Sequence, residues 1–143
     1  MVDDIIQGAA AALRALGGAD TEIYRDEIRQ GLSPPCYFLG VLKPSITPLL
    51  GRRFLQRTPL DIQYFPADPQ QLGPLYDLAE ELAAGLRFIT LPDGSQLQGT
   101  GMDWEVEEGV LHFFVTFSAV CLRPADPVPL METLETHIIP QKE

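Results

Sequence analysis

The sequence predicts an α+β domain: one mostly antiparallel sheet of about five or six strands, with two helices packed on it. Three observations lead there. The chain's 143 residues suffice for one core and not for two. Two stretches repeat apolar residues at every third or fourth position, the helical period. Several others are rich in β-branched and aromatic residues and are separated by turns bearing Pro and Gly.

Residues 3–16 read as the first helix. Ile5, Ile6, Ala9, Leu13 and Leu16 share a face, Asp3 or Asp4 is placed to cap the first amides, and Gly17-Gly18 supplies the stop. Ala9 to Ala12 leave a smooth stripe for close packing. Residues 21–29 read as a polar strand and Gly31 to Pro35 as a turn. The run Cys36-Tyr37-Phe38-Leu39-Gly40-Val41-Leu42 is almost wholly apolar, which predicts a central strand covered on both faces. Residues 43–52 read as a loop, punctuated by Pro44, Pro48 and Gly51 and made apolar by Ile46, Leu49 and Leu50.

Over residues 53–65, Leu60, Ile62 and Tyr64 alternate with Asp61 and Gln63, as in a half-buried strand. Pro59 predicts an edge position or a bulge for it. After a loop from Pro66 to Gly73, residues 74–86 form the second helix. Pro74 fits its first turn; Leu75, Tyr76, Ala79, Leu82, Ala83 and Leu86 point inward, and Asp77, Glu80 and Glu81 face water.

Strands near 87–91, 95–106 and 110–121 complete the domain, with Pro92-Asp93-Gly94 as a turn. A two-residue hairpin turn at Glu108-Gly109 sets Glu107 opposite Val110, Glu105 opposite His112 and Trp104 opposite Phe113. Met102, Trp104 and Val106 then share a face with Leu111, Phe113 and Val115. The domain is expected over residues 1–122. Residues 123–143 read as a proline-rich C-terminal arm, holding Pro124, Pro127, Pro129 and Pro140 together with Leu130, Met131, Leu134, Ile138 and Ile139. Such an arm either reaches a neighbouring subunit or straps its own domain.

Charge narrows the function. The net charge is −10, from 10 basic and 20 acidic residues, a poor match for a protein that grips nucleic acid. The charge is unevenly spread. Between Glu27 and Asp61 there is no acid, while Arg29, Lys43, Arg52, Arg53 and Arg57 give +5; the five other cations against all 20 acids leave −15 for the rest. The window fits either a solvated basic loop beside an edge strand or a protein contact. In the second case the basic patch meets the acidic part of an identical neighbour, head to tail around a ring.

Catalytic constellations are missing. The sequence has no phosphate-binding loop and no His-Glu-x-x-His pattern. Gly99-Thr100-Gly101 holds part of a dinucleotide fingerprint, but it lies in a strand pattern where glycines mark a bulge. His112 opposite Glu105 reads as a surface cross-strand pair, and His137 has no nameable partner. Cys36 and Cys121 read as inert thiols without metal spacing. Glu105, Glu107 and Glu108 form a solvated acidic turn. Catalytic, cofactor and metal residues are therefore none, and no enzyme is expected. The acidic start, Met1-Val2-Asp3-Asp4, is not that of a signal or transit peptide, and no apolar run approaches the ~20 residues of a membrane span. A soluble, cytoplasmically made protein without a membrane partner is expected.

Four stretches, in this order after a short N-terminal helix, resemble one family. They are Pro34-Pro35-Cys36-Tyr37-Phe38; Lys43-Pro44-Ser45 running to Leu50-Gly51-Arg52-Arg53-Phe54; Ile62-Gln63-Tyr64-Phe65-Pro66; and Gly109-Val110-Leu111-His112-Phe113-Phe114-Val115. They are similar to phage tail terminator proteins, small proteins of tailed phages and prophages of Gram-positive bacteria, over roughly residues 1–121. The resemblance implies a structural virion protein at the head-proximal end of the tail, assembled in the host cytoplasm. It implies a ring, six-fold in such proteins, that caps the tail tube, stops its polymerisation and offers a surface to the head–tail connector. The partners are then the chain itself, the tail tube protein and the connector protein. DNA passes through the lumen without specific binding, which the acidic surplus suits. The contact residues we expect are Lys43, Ile46, Leu49, Leu50, Arg52, Arg53 and Arg57. Two other classes fit the same residues: another neck or tail-completion protein, and a small intracellular ligand-binding domain with a pocket around His112.

Overall fold

The computed structural model describes residues 1–18, 21–25, 34–68, 70 and 72–124. Its elements run in the order α1 (Val2–Gly17), β1 (Ile23–Tyr24), β2 (Cys36–Val41), β3 (Ser45–Pro48), β4 (Arg53–Phe65), α2 (Gly73–Gly85), β5 (Phe88–Thr90), β6 (Gln96–Glu107) and β7 (Val110–Leu122). The strands form one sheet ordered β1-β2-β4-β7-β6-β5, with β3 paired to β4. Every pair is antiparallel except the short parallel pair of β1 with β2. The α+β class and the two helices are as expected, but the sheet is mixed and gains a seventh strand. Residues 26–29 of the predicted polar strand, 31–33 of the turn before β2 and 125–143 of the arm lie outside the described residues.

The frame is the ladder between β4 and β7, twelve opposed pairs from Arg53↔Leu122 to Tyr64↔Leu111. Opposed residues lie on the same face of a sheet, and successive residues alternate between faces. Leu60, Ile62, Leu111, Phe113, Val115 and Phe117 all fall on one face, and all are buried. Against this inner face lie Ile5, Ala9 and Leu13 of α1 and Leu75, Ala79 and Leu82 of α2. Tyr76, expected inward, is instead half exposed, because it sits one position outside the stripe that starts at Leu75.

Three sequence expectations are corrected. The strand over 36–42 is not central: β4 and β7 hold the middle, and β2 has only the two residues of β1 beyond it. Its burial is nonetheless double-sided, since Cys36, Tyr37, Phe38 and Leu39 are all buried. The loop over 43–52 contains β3, because Ser45-Ile46-Thr47-Pro48 finds a partner strand in β4. Pro59 marks neither an edge strand nor a bulge in the β4–β7 ladder. Its carbonyl accepts the Leu42 amide at 2.9 Å. The N–H it lacks would point the same way, toward the carbonyl of Leu42 one step past the end of β2, so the proline omits a single ladder bond at the point where β2 ends.

Local turn chemistry follows the sequence closely. Glu108 (φ 52°) and Gly109 (φ 77°) both sit at positive φ, the two-residue primed turn, and the predicted pairs Glu107↔Val110, Glu105↔His112 and Trp104↔Phe113 form. The glycine-rich stretch is a bulge. The register slips between Thr100 and Asp103, and Gly101 takes φ 61°. At the start of α1 no side chain caps the helix. Asp3 instead receives hydrogen bonds from Arg25 and, at 2.7 Å, from Gln7. Those bonds, the guanidinium's first, hold its carboxyl below the usual carboxylate range.

Close approach fixes one glycine. A Cβ on Gly99 would lie 2.4 Å from the Leu86 carbonyl oxygen and 3.0 Å from a Val115 methyl. Gly99→Ala should therefore destabilise the fold by about 1–3 kcal/mol, read as a lower urea midpoint at unchanged slope. An unchanged midpoint would mean that β6 and the α2–β5 link do not press together here.

Burial also fixes a pH response. Tyr37 is buried, its ring 4.9 Å from that of Tyr64. Burial first, then Tyr64 and Glu81, push its hydroxyl far above the ordinary 10.0. In the unfolded chain Tyr37 ionises near pH 10 while the folded chain keeps the proton. Stability is therefore intact below pH 10 and is lost as pH rises above it. Tyr37→Phe should flatten that alkaline loss in melts between about pH 9 and 11; an equal loss in the variant would remove Tyr37 as its source.

Candidate functional site

The helices cover only part of the β4–β7 ladder. The pairing of β6 with β7 ends at Gly99↔Phe117, and that of β2 with β4 ends at Val41↔Leu60. Beyond these points β4 and β7 continue with β3 as a three-stranded ribbon, opposing Ser45, Arg57 and Ser118, then Thr47, Leu55 and Val120. The inward positions of β7 show why the core stops here. Leu111, Phe113, Val115 and Phe117 fill it, and Ala119 and Cys121 follow. Along β7 small side chains thus follow large ones, with Phe54 of β4 facing Cys121.

The tip of the ribbon is tied by backbone bonds. The Leu49 amide donates to the Arg53 carbonyl at 2.9 Å, and Gly51 turns at φ 70°. The Arg123 amide donates to the Arg52 carbonyl at 2.8 Å, and Arg52 Nη1 donates back to the Arg123 carbonyl at 3.1 Å. The β4–β7 pairing thus reaches one step past the regular strands.

All seven residues expected to make contacts lie on this one element. Lys43 precedes β3, Ile46 is in it, Leu49, Leu50 and Arg52 form the turn, and Arg53 and Arg57 lie on β4; all are exposed. Ile46 and Leu50 are 65% and 83% exposed, unusual for large apolar side chains with a folded sheet beside them. Ile46, Pro48, Phe54 and Arg123 line an apolar hollow of about 170 Å³. Sequence reasoning missed Val120, Leu122 and Arg123, which the ladder brings beside Leu55, Arg53 and Arg52. The drop in side-chain size after Phe117 was the available signal.

The outer face, away from the helices, carries a charge gradient. At the ribbon end it bears Arg53 and Arg57. At the far end β6 places Asp103, Glu105 and Glu107 there, opposite Phe114, His112 and Val110. His112 does oppose Glu105, but its Nδ1 approaches Asp61 Oδ2 at 3.4 Å, and its ring stacks on Phe114 at 6.4 Å. Gln63 Nε2 also donates to that Asp61 oxygen at 3.1 Å. His112 is therefore the partner of a half-buried carboxylate on β4.

Other chemistry is sparse. Cys36 is buried, and burial first, then Glu22, raises its thiol above the ordinary value, which disfavours the reactive thiolate. Among the described residues, no group of three or more His, Cys, Asp and Glu side chains converges as metal ligands. No described helix is long and apolar enough to cross a membrane. Among the described residues, His112 does not line the main surface hollows.

An exposed ribbon that is both apolar and cationic is the kind of surface that protein contacts use. The chain belongs to the phage tail terminator family: a family model described as phage tail terminator protein matches residues 4–129. The match reaches past β7 and includes the whole ribbon. It gives the chain a structural role in a phage tail. No curated protein sequence matches the chain.

Proposed function

We propose that this protein caps the head-proximal end of a phage tail tube, stops tube polymerisation and provides the surface that joins the tail to the head. Identical copies form a ring, six-fold as in proteins of this kind, and the ribbon is the contact between them. The observation that carries the reading is the gathering of Lys43, Arg52, Arg53, Arg57 and Arg123 with exposed Ile46, Leu50 and Val120 on one projecting element, in a family of tail terminators. A ring with head-to-tail contacts needs two unlike surfaces on each copy. The cationic ribbon and the acidic body are such a pair. The acidic surplus of the body also suits a lumen through which DNA passes without sticking.

The test is electron microscopy of particles from a phage lacking this gene. Overlong tails of variable length are the expected result, because nothing then stops the tube. Tails of normal length lying apart from filled heads would make the protein a joining subunit and not a terminator. Normal infectious particles would end the structural reading.

A further inference from the structure

The outer face of the sheet is charged at both ends and neutral between them. One end holds Arg53 and Arg57, with Leu55 between them along β4; the middle holds Pro59 and its partner Thr116; the other end holds Asp103, Glu105 and Glu107 of β6. Arg53 and Arg57 stand four residues apart on an extended strand, about 13 Å. Asp103 and Glu107 stand four residues apart on another, about the same distance. None of the five is ion-paired among the described residues, where the ion pairs are Met1 with Asp4, Arg25 with Asp3 and His112 with Asp61. All five are exposed, so their charges are presented to whatever lies on that face.

Within one copy the two ends cannot meet, because the β4–β7 ladder holds them apart. Of twelve opposed pairs, the Arg53 pair is the first and the Tyr64 pair the last. A second copy brings both surfaces at once. We propose that the outer face of the ribbon on one copy docks on the β6 end of the outer face of the next, Arg53 and Arg57 meeting Asp103 and Glu107. The inference rests on the ring reading above and adds to it the surface that receives the ribbon. A second copy is favoured over another protein because this chain carries both partners, equal in spacing and opposite in sign.

Charge swapping tests it by sedimentation velocity. Arg53→Glu with Arg57→Glu, and separately Asp103→Arg with Glu107→Arg, should each weaken self-association by about 100-fold or more, because like charges then face each other. Combining all four substitutions in one chain should restore association. So should mixing the two double variants in equal amounts, each supplying the surface the other lost. A fourfold variant as dissociated as either double variant overturns the docking surface. A wild-type chain that stays monomeric at every concentration does the same. Restored association that stops at a closed dimer upholds the docking and counts against the ring. Overlong tails on gene removal, with no rescue by the swap, would keep the terminator reading and discard this interface. Should a variant lose its melting transition, Arg→Gln and Asp→Asn or Glu→Gln versions replace it. These should flatten the salt dependence of association, and an unchanged salt dependence overturns the proposal.

Discussion

Truncating Phe113 to alanine removes about 3–5 kcal/mol of stability, a large share of what a single domain has. Phe113 lies on β7 between β4 and β6, opposite Ile62 on one side and Trp104 on the other. It is fully buried, and its ring stacks on Trp104 at 5.9 Å with planes 10° apart. Three losses coincide: the transfer free energy of the ring, the cavity left between the sheet and the helices, and the aromatic pair. The cavity does not heal easily, because the central ladder is held from both sides. Urea unfolding should show a midpoint far below that of the wild type, or no folded baseline. A loss under about 1 kcal/mol would mean that helices and sheet repack freely, against the close packing expected of a protein core.

Reversing Arg52, Arg53 and Arg57 to glutamate has the largest effect on assembly and a small one on the fold. Three reversals of two charges each take the net charge from −10 to −16. All three residues are exposed and have no carboxylate partner among the described residues. Surface changes of this sort usually move stability by no more than about 0.5 kcal/mol. Among the described residues, only the Arg52 side-chain bond to the Arg123 carbonyl is lost. A cationic ribbon becomes an anionic one facing an anionic body, so self-association should disappear while the melting temperature stays within a few degrees. Sedimentation velocity and a thermal melt on one sample separate the two effects. Assembly equal to the wild type would remove the ribbon as the contact.

These expectations draw unequally on sequence and on tertiary structure. The sequence by itself determined the helices, the long strands and the hairpin register. Each follows from local period or turn chemistry: Ile5, Ala9 and Leu13 at helical spacing, Leu60, Ile62 and Tyr64 at strand spacing, Glu108-Gly109 at a turn demanding positive φ. It also singled out the residues that the structure gathers on one exposed ribbon, because the acid-free window and its apolar residues are contiguous in the chain.

Only the tertiary structure decided three things. It made β4 and β7 the centre in place of β2, since order in a sheet depends on pairings between segments far apart in sequence. It turned an apolar, proline-bearing loop into the strand β3, because a short segment gains a strand's hydrogen bonds only when a partner such as β4 lies beside it. It set the cations of β4 and the carboxylates of β6 on one face at opposite ends. Each strand shows its own alternation of faces, but which strands lie between them, and in what register, is fixed by packing against the helices. That long-range choice separates the two charges within a copy, which is what the proposed docking between copies draws on.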